Sequence, residues 1–118
     1  MRKIETLMNT AILENIDWKQ DNTEVVYNEH SGNSHVYLYG EEIAIVGEHF
    51  VKIFDGGRKS QTTKSRLNAI LSEHGVDGDC VFQRQGKWFL IDDKQEEEFE
   101  NGYIFAWYID LGYVTKLT

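Results

Sequence analysis

The chain has 118 residues, 41% of them hydrophobic and 13% aromatic, enough to bury one core and too few to build two. With 20 acidic residues against 12 basic ones the net charge is −8 at pH 7, which argues against a protein held to nucleic acid or anionic lipid by overall positive charge. Cys80 is the single cysteine, so an internal disulfide framework and multi-cysteine zinc modules are excluded, and the expectation is one domain over residues 1–118 in a reducing, cytoplasmic compartment.

Ile4, Leu7, Met8, Ala11 and Ile12 recur at the spacing of one helix face. They predict a helix over about residues 2–16, with Lys3, Glu5, Asn9 and Glu14 on its other faces. The apolar stripe is expected to dock on the rest of the domain. Glu5, Asn9, Thr10 and Glu14 interrupt the apolar stretch a signal peptide requires. No apolar run reaches the ~20 residues of a membrane helix. Asp17 to Asn22, polar apart from Trp18, reads as a connector.

Alternating β-rich runs follow: Val25 to Tyr27, Val36 to Tyr39, Ile43 to Val46 and Phe50 to Phe54. Turn residues separate them, so an antiparallel meander is expected over about residues 23–55. A second helix is expected over about residues 62–74, capped by Thr62 or Thr63 and ended by Gly75 in a left-handed conformation. Leu67, Ile70, Leu71 and His74 share its inner stripe. Strands are expected over residues 79–117, including a hairpin through Gln85-Gly86 and an edge run from Val114 to Leu117. Tyr103 to Ile109 fits a central strand or a buried helical turn, and both stay open. This order predicts an α+β fold: a twisted antiparallel sheet, with a curl towards a small barrel as an alternative, an N-terminal helix and one central helix.

Two segments carry opposite charge. Gly56 to Arg66 holds Arg58, Lys59, Lys64 and Arg66 and no acid. Paired glycines, hydroxyls and a helix start can present N–H groups and positive charge to an anion. The bland alternative is a turn leading into a capped helix with a solvated basic edge. The P-loop spacing is absent. Asp92, Asp93, Glu96, Glu97, Glu98 and Glu100 form the acidic counterpart, broken only by Lys94 among charged residues. That segment can mimic a phosphate backbone and enter a basic groove, or it is a solvated loop. It lacks the ligand ladder of a calcium loop.

Other chemistry is poorly supported. His30, His35, His49 and His74 lack a zinc-binding pattern. Asp77 and Asp79 beside Cys80 oppose a reactive thiolate. Tyr37 and Tyr39, placed on one strand face with His35, can stack nucleic-acid bases. Neither a catalytic set, a metal site nor a cofactor is expected.

Tyr37-Leu38-Tyr39-Gly40-Glu41-Glu42-Ile43-Ala44, the run from Phe54 to Leu71 with Gly56-Gly57 and Thr62-Thr63-Lys64-Ser65-Arg66-Leu67-Asn68, Gly86-Lys87-Trp88-Phe89, and Phe99 with Asn101-Gly102 form a joint pattern. It resembles a group of small tailed-bacteriophage proteins of similar length, from Thr23 to Gly102. The resemblance implies a phage origin and a role inside an infected bacterium, and it supplies no reaction. The tail after Gly102 departs from the pattern. The expected function is therefore non-catalytic: binding a host or defence-system protein through the charged segments, and inhibiting or redirecting it. Opposed surface charges suit a protein partner. The second reading is nucleic-acid binding through Arg58, Lys59, Lys64, Arg66, Tyr37 and Tyr39. No membrane partner is expected.

Overall fold

A computed structural model describes residues 1–117 of the chain. Helix α1 (Lys3–Glu14) is followed by strands β1 (Trp18–Gln20), β2 (Thr23–Asn28), β3 (Asn33–Leu38), β4 (Glu41–Val46) and β5 (Phe50–Ile53). Helix α2 (Gln61–His74) leads to β6 (Cys80–Arg84), β7 (Lys87–Asp92), β8 (Gln95–Glu98), β9 (Tyr103–Asp110) and β10 (Tyr113–Leu117). The meander β1 to β5 is extended by β9 and β10 into a seven-stranded sheet of order β1-β2-β3-β4-β5-β9-β10. Strands β6, β7 and β8 form a separate three-stranded sheet. Pairing between the described strands is antiparallel throughout. The α+β class is as expected; neither sheet closes, so the barrel alternative does not hold. Tyr103 to Ile109 is strand, not helix.

Side-chain alternation builds the large sheet. In β3, Ser34, Val36 and Leu38 turn inward while His35 and Tyr37 turn outward. The register then slips: Val36 faces Ala44, but Tyr37 faces Glu42. The extra residue, Ile43, forms a bulge, so that Ile43 and Ala44 are both fully buried. The segment Asp17–Asn22 is not a plain connector. Trp18–Gln20 pairs with β2, and Asp17 accepts the Tyr27 N–H at 2.8 Å. Three residues are too short a run for alternation to be read.

Helix α1 docks on α2 and β2. Met8, Ala11 and Ile12 are buried as expected, but Glu5 and Asn9, assigned to polar faces, are buried too. Asn9 donates to the Ala69 carbonyl at 3.1 Å. Helix α2 starts one residue earlier than expected, and its cap is Ser60, whose oxygen accepts the Thr63 N–H at 3.1 Å. Gly75 is extended (φ −92°) rather than left-handed. A Cβ there would sit 2.7 Å from the Leu71 carbonyl oxygen, so close approach is what requires glycine. Leu67, Ile70 and Leu71 of α2, Val51, Ile53 and Phe105 of the large sheet, and Val81, Trp88 and Leu90 of the small sheet share one core.

The hairpin loops Tyr39-Gly40, Gln85-Gly86 and Leu111-Gly112 hold both residues at positive φ, the twist-matched geometry in which glycine relieves one strained position. Asp93-Lys94, between β7 and β8, does the same without glycine, at φ 52° and 65°. A left-handed non-glycine residue costs roughly 1–2 kcal/mol, part of which glycine returns as extra freedom of the unfolded chain. Lys94→Gly is therefore expected to stabilise the fold by about 0.5–1 kcal/mol. The melting temperature should rise by a few degrees; an unchanged or lower value counts against strain in this turn.

Candidate functional site

The basic segment does not form one surface. Gly56 and Gly57, at φ 67° and 80°, turn the chain after β5 towards α2, and a Cβ on Gly56 would lie 3.0 Å from the Ile43 side chain. Asp55, just before them, is buried. Its carboxylate accepts the Gly57 N–H and the Lys59 ammonium, both at 2.7 Å. Burial pushes its pKa up, but the contacts with Lys59, Gly57 and Asn101 outweigh burial and hold it below the usual aspartate range. Arg66 lies on the inner side of α2, 3% exposed. Its guanidinium reaches Glu5 at 2.8 Å, Thr23 at 3.0 Å and Asn22 at 3.3 Å, and Ser65 adds a 2.6 Å bond to Glu5. So Lys59 and Arg66 are answered within the chain by Asp55 and Glu5. Arg58 and Lys64 make no ion pair among the described residues. Arg58 lines a cleft of about 490 Å³ with Tyr39, Glu41, Gly57, Ser60 and Thr63.

Tyr37 and Tyr39 do not share a face. Tyr37 stands on the outer face of β3 with His35. Burial and then the charges of Glu42 and Glu24 push its phenol pKa up. His35 is bound to Glu42 at 2.7 Å. Tyr39 has left the strand for the turn, at φ 53° and 70% exposed. Carboxylates around Tyr37 disfavour a polyanion there.

The acidic segment is a hairpin, not a loop. Asp92 ends β7, Asp93 and Lys94 turn, and β8 runs as the outer strand of the small sheet. Glu96 forms a paired contact with Arg84 at 3.1 and 2.6 Å, and Arg84 in turn lies 4.6 Å from the Phe89 ring centre. Glu97 points to the other side and accepts from Tyr103 at 2.8 Å. Asp92 is buried. Asp93, Glu98 and Glu100 are exposed and form no ion pair among the described residues.

A cluster that sequence reading missed joins the two sheets. Lys116, on β10, inserts its ammonium between Asp79 and Asp92, 2.6 Å from each. The rings of Phe105 and Trp107 lie 5.2 and 5.9 Å from the same nitrogen. The Tyr103 hydroxyl lies 2.7 Å from Asp92 and 2.8 Å from Glu97, so its one proton is shared between two carboxylates; burial, then Asp92 and Glu97, raise its phenol pKa. Asp79 keeps a raised pKa because burial outweighs its contacts with Lys116. Burial and Asp79 likewise push the Cys80 thiol up, which fits a structural rather than a reactive cysteine. Next to this cluster an open groove of about 540 Å³ is lined by Gln95 and the acidic Glu96 and Glu97 on β8 and by the apolar Ile104 and Leu117.

No helix among the described residues is long and apolar enough to cross a membrane. The chain belongs to the family of Kyanoviridae Gp96 proteins, whose family model matches residues 1–106, and it is a phage protein. No curated protein and no solved structure matches it.

Proposed function

We propose that this phage protein acts without catalysis of its own, by binding a host or defence-system protein in the cytoplasm of the infected cell and inhibiting or redirecting it. The observation that carries the reading is the free edge of β8. Glu98, together with Asp93 and Glu100, leaves carboxylates open to solvent, while Glu96 and Glu97 of the same hairpin line the groove that Ile104 and Leu117 also line. An acidic edge next to an apolar wall suits a basic protein segment that also presents apolar side chains, with charge steering the encounter. Glu96 and Glu97 contribute field, but their side chains are already engaged by Arg84 and Tyr103.

Charge reversal at Glu98 and Glu100 tests this without touching an internal contact. Glu98→Lys with Glu100→Lys should abolish capture of the host partner retained by the parent chain, and added salt should release that partner. Melting temperature should barely move, since surface changes of this kind stay within about ±0.5 kcal/mol. Equal retention by parent and variant removes β8 from the interface. The exposed Arg58 beside Tyr39 favours a second reading, nucleic-acid binding at their cleft. It requires a gel shift that weakens steeply with salt and disappears in Arg58→Ala.

A further inference from the structure

The hairpin of β9 and β10 extends past the sheet that carries it. Strand β5 pairs with β9 only from Tyr103 to Ala106, and the Trp107 N–H makes a last bond to the His49 carbonyl at 3.1 Å. From Tyr108 to Val114 the two strands have only each other. Tyr108, Ile109, Leu111, Tyr113, Val114 and Leu117 on this ribbon are 43, 56, 90, 75, 53 and 52% exposed. Ile109 faces Val114 across the ribbon and Tyr108 faces Thr115. Neighbouring residues on a strand point to opposite sides, so Ile109 and Val114 make one face of the ribbon apolar, while Tyr108 and Tyr113 share the other with Asp110 and Thr115. Exposed apolar surface gathered in one place marks an interaction site.

We propose that this ribbon is a self-association surface, on which a second copy of the chain pairs its β10 edge with the first about a two-fold axis. Three observations choose that occupant. Strand β10 has a neighbour on one side only, and its other edge offers free backbone N–H and C=O groups. Proteins guard such edges with proline, with charged side chains pointing outward or inward, with bulges or with a covering element. This chain has no proline, the pairing of β10 with β9 has no bulge, and the one inward-pointing charge, Lys116, is neutralised by Asp79 and Asp92. Charge makes the second argument. Lys116 is answered by Asp79 and Asp92, so Asp110 is the one charge that the ribbon from Tyr103 to Leu117 shows to solvent, on a chain of net −8. A strongly charged partner finds little to complement there, whereas two copies meet with one carboxylate each while their other acidic surfaces stay outside. Symmetry is the third. A two-fold contact uses the same patch twice, and antiparallel pairing of identical strands satisfies it. The projecting part lies beyond residue 106, where the family match ends. The surface shares Leu117 with the groove beside β8 and does not depend on the host-binding reading.

Sedimentation equilibrium of the full chain over a range of concentrations, at low and high salt, tests the proposal. The expected result is a monomer–dimer equilibrium that tightens as salt screens the repulsion between two acidic bodies. That dependence is opposite in sign to the one expected for capture of a basic partner on β8, so the two readings fail separately. Val114→Lys, which places a charge at the exposed ribbon, should give a monomer at every concentration with an unchanged melting temperature. Tyr113→Asp is read in its place if Val114→Lys lowers the melting temperature. A parent chain that stays monomeric throughout overturns the proposal, as does a dimer that survives these substitutions.

Discussion

Arg66→Ala should unfold the protein on the order of 10–20 °C earlier than the parent chain. The residue is 3% exposed and its guanidinium makes hydrogen bonds to Glu5, Thr23 and Asn22. Removing it leaves the Glu5 carboxylate, 2% exposed, without its counter-charge. Breaking one side of a buried pair costs about 3–5 kcal/mol, most of it the desolvation of the stranded partner. Replacing both sides, as Glu5→Leu with Arg66→Met, strands no charge and should recover much of the loss. The pair also gives the fold a pH dependence. Burial pushes the Glu5 carboxyl up, but bonds from Ser65, Arg66 and the Arg2 N–H, with the charge of Arg66, bring it below its ordinary value. A lowered folded-state pKa contributes stability that is present above the unfolded value, about 4.3, and lost as pH falls through the folded one. Parent and Arg66→Ala should therefore converge in strong acid. Arg58→Ala serves as the control, with no loss expected. A melting curve for Arg66→Ala that overlays the parent curve would refute the structural role of this residue.

Lys116→Met should be nearly as damaging, by about 3–5 kcal/mol at neutral pH, and its deficit should also shrink in acid, for a different reason. Asp79 and Asp92 are each 2.6 Å from the Lys116 ammonium. Without it two buried carboxylates confront each other. Asp79 already has a raised pKa, from burial first and from Asp92 in small part. A group raised in the folded state contributes its stability below its unfolded value, about 3.9 for aspartate, and loses it as pH climbs through the folded value. Removing Lys116 raises Asp79 further, so the deficit of the variant should be small near pH 4, close to the unfolded aspartate value, and widen towards neutrality. A penalty independent of pH would show that the carboxylates are not its source.

These two clusters also mark the boundary between what could be read along the chain and what could not. The stripe of Leu67, Ile70 and Leu71 and the alternation of Ser34, Val36 and Leu38 were legible because periodicity is local: each residue's face follows from its neighbours' spacing. The meander and its close turns were legible for the same reason. Glu5 was misplaced, because helical spacing puts it beside the apolar stripe and only α2 crossing above it supplies Arg66 and Ser65. Thr62 and Thr63 were as good a cap as Ser60 on composition; the turn at Gly56-Gly57, fixed by Asp55, decided which hydroxyl meets the first free N–H.

Composition, periodicity and turn residues by themselves determined the α+β class, most strand and helix positions, and the absence of a P-loop, a calcium loop or a disulfide framework. The phage resemblance was likewise carried by residues within Thr23 to Gly102. Tertiary structure alone decided how the charges are shared. It spent Lys59 on Asp55 and Arg66 on Glu5, divided the acidic run between Arg84, Tyr103, Lys116 and solvent, and separated Tyr37 from Tyr39. It also set the apolar tip of β9 and β10 beyond the end of β5. The physical reason is range: side-chain period is written every two or four residues, whereas ion pairs such as Glu5 with Arg66 join residues 61 apart, and their partners exist only after the sheets and helices have met.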